Sequence, residues 1–376
     1  MKELLKKIIY TLFPNNHIVF ESAPVYADNT RAVFDEMVRR GLDKKYTFYW
    51  YCPPNVHRPK EVAHAKFLEF PGNTPFQKLK ARLILLTAKA LISCNDILTP
   101  RCPGQYTICL MHGACLKSVK GHYSIPKDLD DILSFSSYLA PIEEENSGAD
   151  QKKMRFLGFP RNDILFHSKL DTHTLFPNAD YDKLIYWMPT FRQHKNGTLD
   201  TSSIAMPILY NEEIAQQVNE AAKKARVLVV VKPHFAQDVS RITMLDLSNL
   251  VFINDAFLSE HGINNYQLLS KADALLTDYS SVYYDYLLTN RPIGLCWDDF
   301  EDYKAKEGFA VDMDTVMAGG EKIYTAEDLC GFIARLSAGE DALQAERAKV
   351  ANLIHDHRDG NSTQRVVDWI EKRLSK

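Results

Sequence analysis

Two nucleotide-binding signatures are missing from this chain of 376 residues. No G-x-G-x-x-G motif occurs, which argues against a dinucleotide-dependent enzyme, and no G-x-x-x-x-G-K-[ST] motif occurs, which argues against a P-loop nucleotidase. Internal repeats and low-complexity tracts are also missing. With 45% hydrophobic and 25% charged residues, the composition is that of an ordinary globular protein. The length is enough for two domains of common size.

Cysteine is scarce, and the seven cysteines include no C-x-x-C pair. They are Cys52, Cys94, Cys102, Cys109, Cys115, Cys296 and Cys330. An odd number without paired spacing is typical of buried thiols in a reducing compartment. Four of them lie between Cys94 and Cys115, with His112 among them, but the spacings match no common zinc pattern. We therefore expect no metal site there.

Neither sign of charge dominates, since 45 lysines and arginines face 48 aspartates and glutamates and the net charge is -3. This balance gives no support for nucleic-acid binding. Two local basic faces are present, because Met1–Phe13 and Thr74–Lys89 both predict amphipathic helices with cations on one side. The first shows no signal-peptide pattern and is too short to span a bilayer, which takes about 20 apolar residues. Each helix either packs on its domain or rests on an anionic membrane surface.

Short apolar runs alternate with helical patterns along the chain. In the first half the predicted strands are His17–Ser22, Tyr46–Cys52, Phe67–Phe70, Ala90–Ser93, Thr107–Met111 and Ile132–Ser134. After a polar stretch from His167 to Lys183 they are Leu184–Met188, Val227–Val231, Leu250–Ile253, Ala274–Thr277 and Ile293–Trp297. This alternation predicts parallel sheets in an α/β protein. We expect two Rossmann-like domains, residues 1–172 and 173–376, facing across a cleft, with the last helices returning to the first domain.

The stretch Ala274–Trp297 carries the strongest local signal for phosphate binding. It reads as strand, sharp turn, helix and strand, with Thr277, Asp278, Ser280 and Ser281 in the turn. Backbone N–H groups and the positive end of a helix dipole attract phosphate at such a turn, and serine hydroxyls add donors. Aspartate and serine are also favoured helix caps in proteins that bind nothing, so capping is the alternative reading.

Two other predicted strands of the second half end in cationic residues. Leu184–Met188 is followed by Arg192, and Val227–Val231 is followed by Lys232 and His234. An arginine forms a fork-shaped contact with phosphate. Because the carboxyl ends of parallel strands meet at one edge of a sheet, we expect these cations to join the hydroxyl-rich turn in a diphosphate site. Taken singly, each is equally compatible with a surface ion pair or an ordinary strand exit.

In the first half, the predicted strand Thr107–Met111 runs directly into His112 and Gly113. A histidine has a near-neutral pKa and is the usual general base for a hydroxyl group. A glycine beside it allows a substrate to approach the backbone. A base in one domain and a diphosphate site in the other predict transfer from a nucleotide-activated donor. A structural histidine held in a loop is the alternative.

A series of short motifs resembles a known family. In chain order they are His112-Gly113 with Leu116-Lys117, Gly158–Asp163 (GFPRND), Pro189–Arg192, Lys232 with His234, Thr277–Ser281, Arg291-Pro292, and Asp359-Gly360 with Ser362-Thr363. Together they resemble the CDP-glycerol glycerophosphotransferases, the teichoic acid primase and polymerase family. The resemblance covers the chain from the region of Ala90 to the C-terminus. One departure is Ala114-Cys115, where the family usually has Thr-Pro.

The resemblance implies a GT-B fold and metal-independent transfer of glycerol phosphate from CDP-glycerol, with release of CMP and no cofactor. It implies that His112 is the base, that His234 contacts the donor phosphates, and that Ser280 and Ser281 lie at the diphosphate. The other substrate-binding residues it implies are Gly113, Arg161, Arg192, Lys232, Thr277, Asp278 and Asp359. The implied partners are CDP-glycerol, a lipid-linked or polymeric glycerol-phosphate acceptor, and the cytoplasmic face of a bacterial cell membrane, with no nucleic acid.

Three alternatives stay open at this point: a CDP-ribitol transferase, a GT-B glycosyltransferase that uses a nucleotide sugar, and an inactive scaffold at the membrane. The pair Asp312-Met313-Asp314 resembles the carboxylates that hold a metal-bound nucleotide sugar, but no apolar strand leads into it. We assign this pair no role. Primase and polymerase activity, and a wall polymer and a capsule, are equally compatible with the sequence.

Overall fold

The computed structural model describes residues 6, 8, 10–12, 16–54, 56, 58–190, 206–233 and 239–375. The chain divides into two compact units. The first unit consists of Met1–Ala114, Val119–Asp163 and His355–Lys376, and the second consists of Cys115–Ser118 and Ile164–Ile354. The division therefore falls between Asp163 and Ile164, and the polar stretch that follows lies in the second unit.

The first unit contains a parallel sheet of seven strands. They are β1 (His17–Phe20), β2 (Thr47–Cys52), β3 (Ala65–Glu69), β4 (Ala88–Ser93), β5 (Tyr106–Cys109), β6 (Asp131–Leu133) and β7 (Met154–Arg155). Their order is β3-β2-β1-β4-β5-β6-β7, and every pair is parallel. Strands β4 and β5 are buried at nearly every position, as expected where helices cover a parallel sheet on both sides.

The helices of the first unit are Asp28–Arg39, Pro75–Thr87, Ala140–Ser147 and Ser362–Leu374, with 3₁₀ turns at Leu42–Lys44, Gln151–Lys153 and Pro160–Asp163. The C-terminal helix is joined to the first of these by ion pairs. The Arg40 guanidinium lies 2.5 Å from the Asp368 carboxylate and 2.7 Å from that of Glu371. The C-terminal helix thus completes the first unit from the far end of the chain.

The second unit contains a parallel sheet of six strands. They are β8 (Lys183–Trp187), β9 (Val227–Val231), β10 (Leu250–Phe252), β11 (Ala274–Thr277), β12 (Ile293–Cys296) and β13 (Glu321–Ile323). Their order is β10-β9-β8-β11-β12-β13, and all are parallel. The strand order reverses between β8 and β11, and ligands of doubly wound sheets bind at the carboxyl ends of the strands at such a point.

The helices of the second unit are Ile164–His167, Glu212–Lys224, Ser240–Thr243, Asp255–Glu260, Asn265–Leu269, Val282–Leu287, Phe300–Lys306, Met313–Val316, Ala326–Ala338 and Gln344–Ile354. The longest ones follow the expected rules. Asn211, for example, caps Glu212–Lys224 by accepting the Ile214 N–H at 2.9 Å.

The strands expected from the apolar runs are all present, with their ends shifted by a few residues at most. Two further strands, β7 and β13, escaped the sequence pattern because they contain charged residues and no apolar run. None of the helices in the described part of the chain is both long and apolar enough to cross a membrane.

Candidate active site

His112 lies just beyond the carboxyl end of β5, where the chain leaves the sheet. Its side chain is exposed, whereas Leu110 two positions earlier is fully buried. Between them Met111 has a φ of +50°, in the left-handed region that non-glycine residues rarely adopt. The chain therefore turns sharply out of the core and presents the histidine at the edge of the sheet. Gly113 follows it and is half-buried.

Arg161, a substrate-binding residue by the family resemblance, makes internal contacts in the structure. Its side chain is 6% exposed, and its guanidinium lies 2.8 Å from the Asp28 carboxylate. The same nitrogen donates to the backbone carbonyl of His112. Arg161 thus holds the loop that carries His112 from inside the first unit.

The remainder of the GFPRND segment anchors the C-terminal helix. Gly158 has a φ of +76°, and a Cβ atom there would lie 2.3 Å from the Ser362 hydroxyl, so only glycine fits. The Asp163 carboxylate accepts the backbone N–H groups of Ser362 at 2.9 Å and Thr363 at 2.7 Å. These are orphan donors of the first helical turn, which explains why an aspartate is needed there.

Glu21 supports the carboxyl edge of the sheet in the first unit, and no sequence pattern pointed to it. This residue follows β1 and is 2% exposed. Its carboxylate accepts the N–H groups of Cys94 at 2.9 Å and Asn95 at 3.0 Å, where β4 ends. Burial raises the pKa of Glu21, while these backbone donors act in the opposite direction.

In the second unit, Thr277 and Asp278 hold the turn after β11. Both are fully buried. The Thr277 hydroxyl donates to the Met188 carbonyl at 2.9 Å, while the Asp278 carboxylate accepts the N–H and the hydroxyl of Thr190, each at 3.0 Å. The resemblance implies that both bind substrate, and in the structure these polar atoms tie the ends of β8 and β11 together.

Ser280 and Ser281 are half-buried in this turn, and Ser281 precedes the helix Val282–Leu287. That helix has six residues, and Ser281 makes no side-chain cap bond to it. Ser281 therefore does not cap this helix with its side chain. A helix of this length gives little of the dipole assumed from sequence, so the serine hydroxyls are the donors that the turn offers.

Lys232 lies just past the end of β9, beside β8, where its backbone N–H donates to the Trp187 carbonyl at 2.9 Å. Its side chain is 13% exposed, and its ammonium group lies 3.0 Å from the Asp255 carboxylate. Asp255 itself is 66% exposed. A nearly buried cation with an exposed counter-ion, one strand away from the strand-order reversal, is suited to exchange that counter-ion for a phosphate. Arg192 and His234 lie outside the described residues.

Asp359 lies in the first unit, not with the expected donor-binding residues of the second half. Its carboxylate contacts the Arg365 guanidinium at 2.8 and 2.9 Å, and this partner holds the pKa of Asp359 well below its usual range. Asp314 of the D-x-D pair contacts Lys322 at 3.0 Å. Within the described residues, no three histidine, cysteine or carboxylate side chains lie together as a metal site requires.

Five of the seven cysteines are buried, as their spacing in the sequence predicts. The Cys94 thiol donates to the Met111 carbonyl at 3.2 Å. Burial raises the pKa of Cys94 well above its ordinary value. Cys94 is therefore a protonated hydrogen-bond donor to the loop that carries His112 and not a nucleophile.

A family model described as CDP-glycerol:poly(glycerophosphate) glycerophosphotransferase matches residues 4–372. The teichoic acid glycerol-phosphate transferase of Staphylococcus aureus (strain NCTC 8325 / PS 47) is 25% identical, and the match covers 99% of each chain. The teichoic acid glycerol-phosphate primase of Bacillus subtilis (strain 168) is 24% identical over 68% of this chain and 61% of the primase. The teichoic acid ribitol-phosphate primase of Bacillus spizizenii is 24% identical over 60% of this chain and 55% of that one. The chain thus spans less than two thirds of either primase.

Solved structures show the same fold. The wall teichoic acid polymerase TagF matches with a TM-score of 0.74 at 19% identity, over 98% of this chain and 93% of that one. The calicheamicin glycosyltransferase CalG4 matches with a TM-score of 0.52 at 12% identity, over 96% and 99% of the two chains. The GT-B fold expected from the sequence, with two parallel-sheet α/β domains, is confirmed.

Proposed function

The chain belongs to the CDP-glycerol:poly(glycerophosphate) glycerophosphotransferase family. From this premise we propose that it transfers glycerol phosphate from CDP-glycerol to a hydroxyl group of a lipid-linked or glycan acceptor, releasing CMP. The product would be a teichoic-acid-like or capsular polymer. The observation that carries the proposal is the family match over nearly the whole chain. The presentation of His112 at a strand end supports it.

In the proposed reaction, His112 accepts the proton of the acceptor hydroxyl as that oxygen attacks the β-phosphorus of CDP-glycerol. A new O–P bond forms, the bond between the β-phosphorus and the bridging oxygen breaks, and CMP leaves with that oxygen. The proton stays on the imidazole until it passes to solvent. Such a base typically contributes 10²–10⁴-fold to the rate.

The second unit supplies the proposed phosphate contacts. The Lys232 ammonium group neutralises charge on the diphosphate, and the hydroxyls of Ser280 and Ser281 donate hydrogen bonds to it. Arg192 and His234 are assigned to the same site because each follows a strand of this sheet in the sequence. One well-placed donor of this kind is worth roughly 3 kcal/mol in the transition state. Thr277 and Asp278 are assigned to shaping the turn, since their polar atoms bond to Met188 and Thr190 after β8. The proposal requires neither a metal ion nor a cofactor.

A donor screen tests this function. The purified full chain is incubated with CDP-glycerol, CDP-ribitol and several nucleotide sugars, each with a lipid-linked acceptor, and the released nucleotide and product mass are measured. We expect CMP release and a mass increase of one glycerol phosphate or more with CDP-glycerol. Ribitol transfer is the second candidate, because a related ribitol-phosphate primase matches as well as its glycerol counterpart. Absence of turnover with every donor would favour the inactive scaffold. Release of UDP or GDP would favour a glycosyltransferase.

The helix Pro75–Thr87 supports a proposed peripheral position at the cytoplasmic face of a bacterial membrane. One face packs into the first unit through Ala81, Ile84 and Leu85. A second apolar face is open, with Phe76 74%, Leu79 58% and Leu83 38% exposed. The exposed cations Lys78, Lys80 and Arg82 lie on the same helix. Exposed apolar side chains among cations match the polarity of an anionic lipid surface.

Replacing Phe76 and Leu79 together by serine should weaken binding to phosphatidylglycerol vesicles by about tenfold or more, since each side chain gains on the order of 1.5–3 kcal/mol on burial. Vesicle sedimentation measures the bound fraction. Met244→Ser is the matched control, because Met244 is an exposed apolar residue of the second unit, 83% exposed. Equal binding by the double variant and the control would refute the membrane face. The N-terminal helix is largely outside the described residues.

A further inference from the structure

The backbone that carries His112 is held by two side chains from distant parts of the sequence. The amide nitrogen of Asn29 lies 3.2 Å from the Leu110 carbonyl oxygen and 2.6 Å from that of Met111. A guanidinium nitrogen of Arg161 donates to the His112 carbonyl. Three consecutive carbonyls are therefore bound by one pair of donors. This is unusual for a loop, whose carbonyls mostly face solvent.

The two donors are themselves fixed. Asn29 is fully buried, and its side-chain oxygen accepts the backbone N–H of Arg161 at 3.0 Å. The Asp28 carboxylate accepts from the Arg161 guanidinium and from the Asn29 N–H, at 2.8 and 2.7 Å. Asp28, Asn29 and Arg161 thus form a closed hydrogen-bonded set, the loop clamp, at the start of the helix Asp28–Arg39.

The loop clamp stabilises a backbone conformation that would be unfavourable without its hydrogen bonds. Met111 and Asp28 have φ values of +50° and +59°, and a non-glycine residue in this region costs on the order of 1 kcal/mol or more. Such conformations persist where surrounding bonds determine them. Here the Met111 carbonyl accepts from Asn29 and also from the Cys94 thiol. The clamp is inside the protein, and the imidazole that it carries is outside.

We propose that Asn29, together with Asp28 and Arg161, is a positioning residue for His112. Asn29 and Arg161 bind backbone carbonyls of the loop, Asp28 holds both of them, and together they fix the point from which the imidazole reaches the acceptor hydroxyl. The inference rests on the proposed function, in which His112 is the base. A displacement of about 1 Å at a reacting group can cost roughly 10²-fold in rate, so loosening the loop should lower kcat and spare donor binding.

Asn29→Asp tests the clamp in the purified full chain. The substitution keeps the shape of the side chain. It replaces the amide nitrogen that donates to the Leu110 and Met111 carbonyls by an oxygen of a carboxylate, which has no proton to donate. We expect kcat to fall by about 10²-fold, with the KM for CDP-glycerol unchanged. The imidazole ¹H resonances of His112, assigned with a His112→Ala sample, should shift or broaden. Arg161→Lys, which keeps the charge beside Asp28 but removes the guanidinium nitrogen that contacts both Asp28 and the His112 carbonyl, should cause a smaller loss in kcat and covers the case in which Asn29→Asp does not fold.

Asn249→Asp is the matched control. Asn249 is 2% exposed in the second unit, and its amide likewise donates to two carbonyls, those of Asp180 and Val227, both at 3.1 Å. We expect a similar loss of thermal stability with kcat and the His112 resonances unchanged. An equal loss of kcat in both asparagine variants, or full kcat in Asn29→Asp, would overturn the positioning role. If the wild-type chain does not turn over CDP-glycerol, the proposed function fails, but the resonances still test whether the clamp fixes His112.

Discussion

Replacing His112 by alanine is expected to lower kcat with CDP-glycerol by about 10²–10⁴-fold, the usual contribution of a general base. The affinity for CDP-glycerol should stay nearly unchanged, because the proposed donor contacts come from other residues of the chain. The imidazole is exposed, so its removal leaves no cavity, and the clamp acts on the backbone carbonyl, which alanine retains. The measurements are CMP release under saturating donor and calorimetric titration with CDP-glycerol.

His122→Ala provides the matched control for this result. His122 is also exposed and lies in the same connection between β5 and β6. Its loss should leave both kcat and donor affinity intact. A His112→Ala protein that bound CDP-glycerol poorly but turned over at the normal rate would show that His112 is a donor contact and that the base is elsewhere.

Replacing Asp131 by alanine is expected to destabilise the first unit by about 3–5 kcal/mol, the typical cost of removing one partner from a buried ion pair. Asp131 opens β6 and is fully buried. Its carboxylate lies 2.7 Å from the Arg155 guanidinium and 3.4 Å from that of Arg373. Without Asp131, both cations would lose a partner inside the fold.

The same carboxylate connects the C-terminal helix to the sheet. It accepts the indole N–H of Trp369 and the hydroxyl of Tyr106, both at 2.9 Å. Burial and the adjacent Asp131 raise the pKa of Tyr106 well above its ordinary value. Loss of Asp131 should therefore loosen the helix Ser362–Leu374 first, and the tryptophan emission of the folded protein should shift to the red.

Urea unfolding followed by circular dichroism and tryptophan emission measures the effect. Asp128→Ala is the control, since Asp128 is an exposed carboxylate on the approach to the same strand. A surface change of this kind usually alters the free energy of unfolding by about 0.5 kcal/mol or less. If Asp131→Ala matched the control, Asp131 would not link the C-terminal helix to the sheet.

The sequence by itself determined the two parallel sheets. Runs such as Val227–Val231 and Ala274–Thr277 are apolar at every position, and a strand buried on both faces requires this pattern locally. Lys232 and Asp278, which follow these two runs, were therefore placed correctly at the carboxyl ends of β9 and β11, because each position follows from its neighbours in the chain.

The pattern could not separate the two apolar faces of the helix Pro75–Thr87. Phe76 and Ile84 are both apolar, yet one is 74% exposed and the other 7%. Which face packs depends on β1, β3 and β4 beneath it, and β1 is distant from the helix in sequence. The family resemblance likewise implied substrate contacts for Arg161, Thr277 and Asp278, and only the fold shows that all three are buried and hydrogen-bonded within their own units.

The tertiary structure alone decided what holds His112 in place. Asn29 and the carbonyls it binds are separated by 81 and 82 residues in sequence, and Arg161 and Asp28 by 133. Near the start of a helix, an aspartate and an asparagine read locally as ordinary caps. A hydrogen bond between residues so far apart has no periodic signature, because it depends on which strands become neighbours in the sheet. The position of His112 at a strand end was thus determined by the sequence, and its support was determined by the fold.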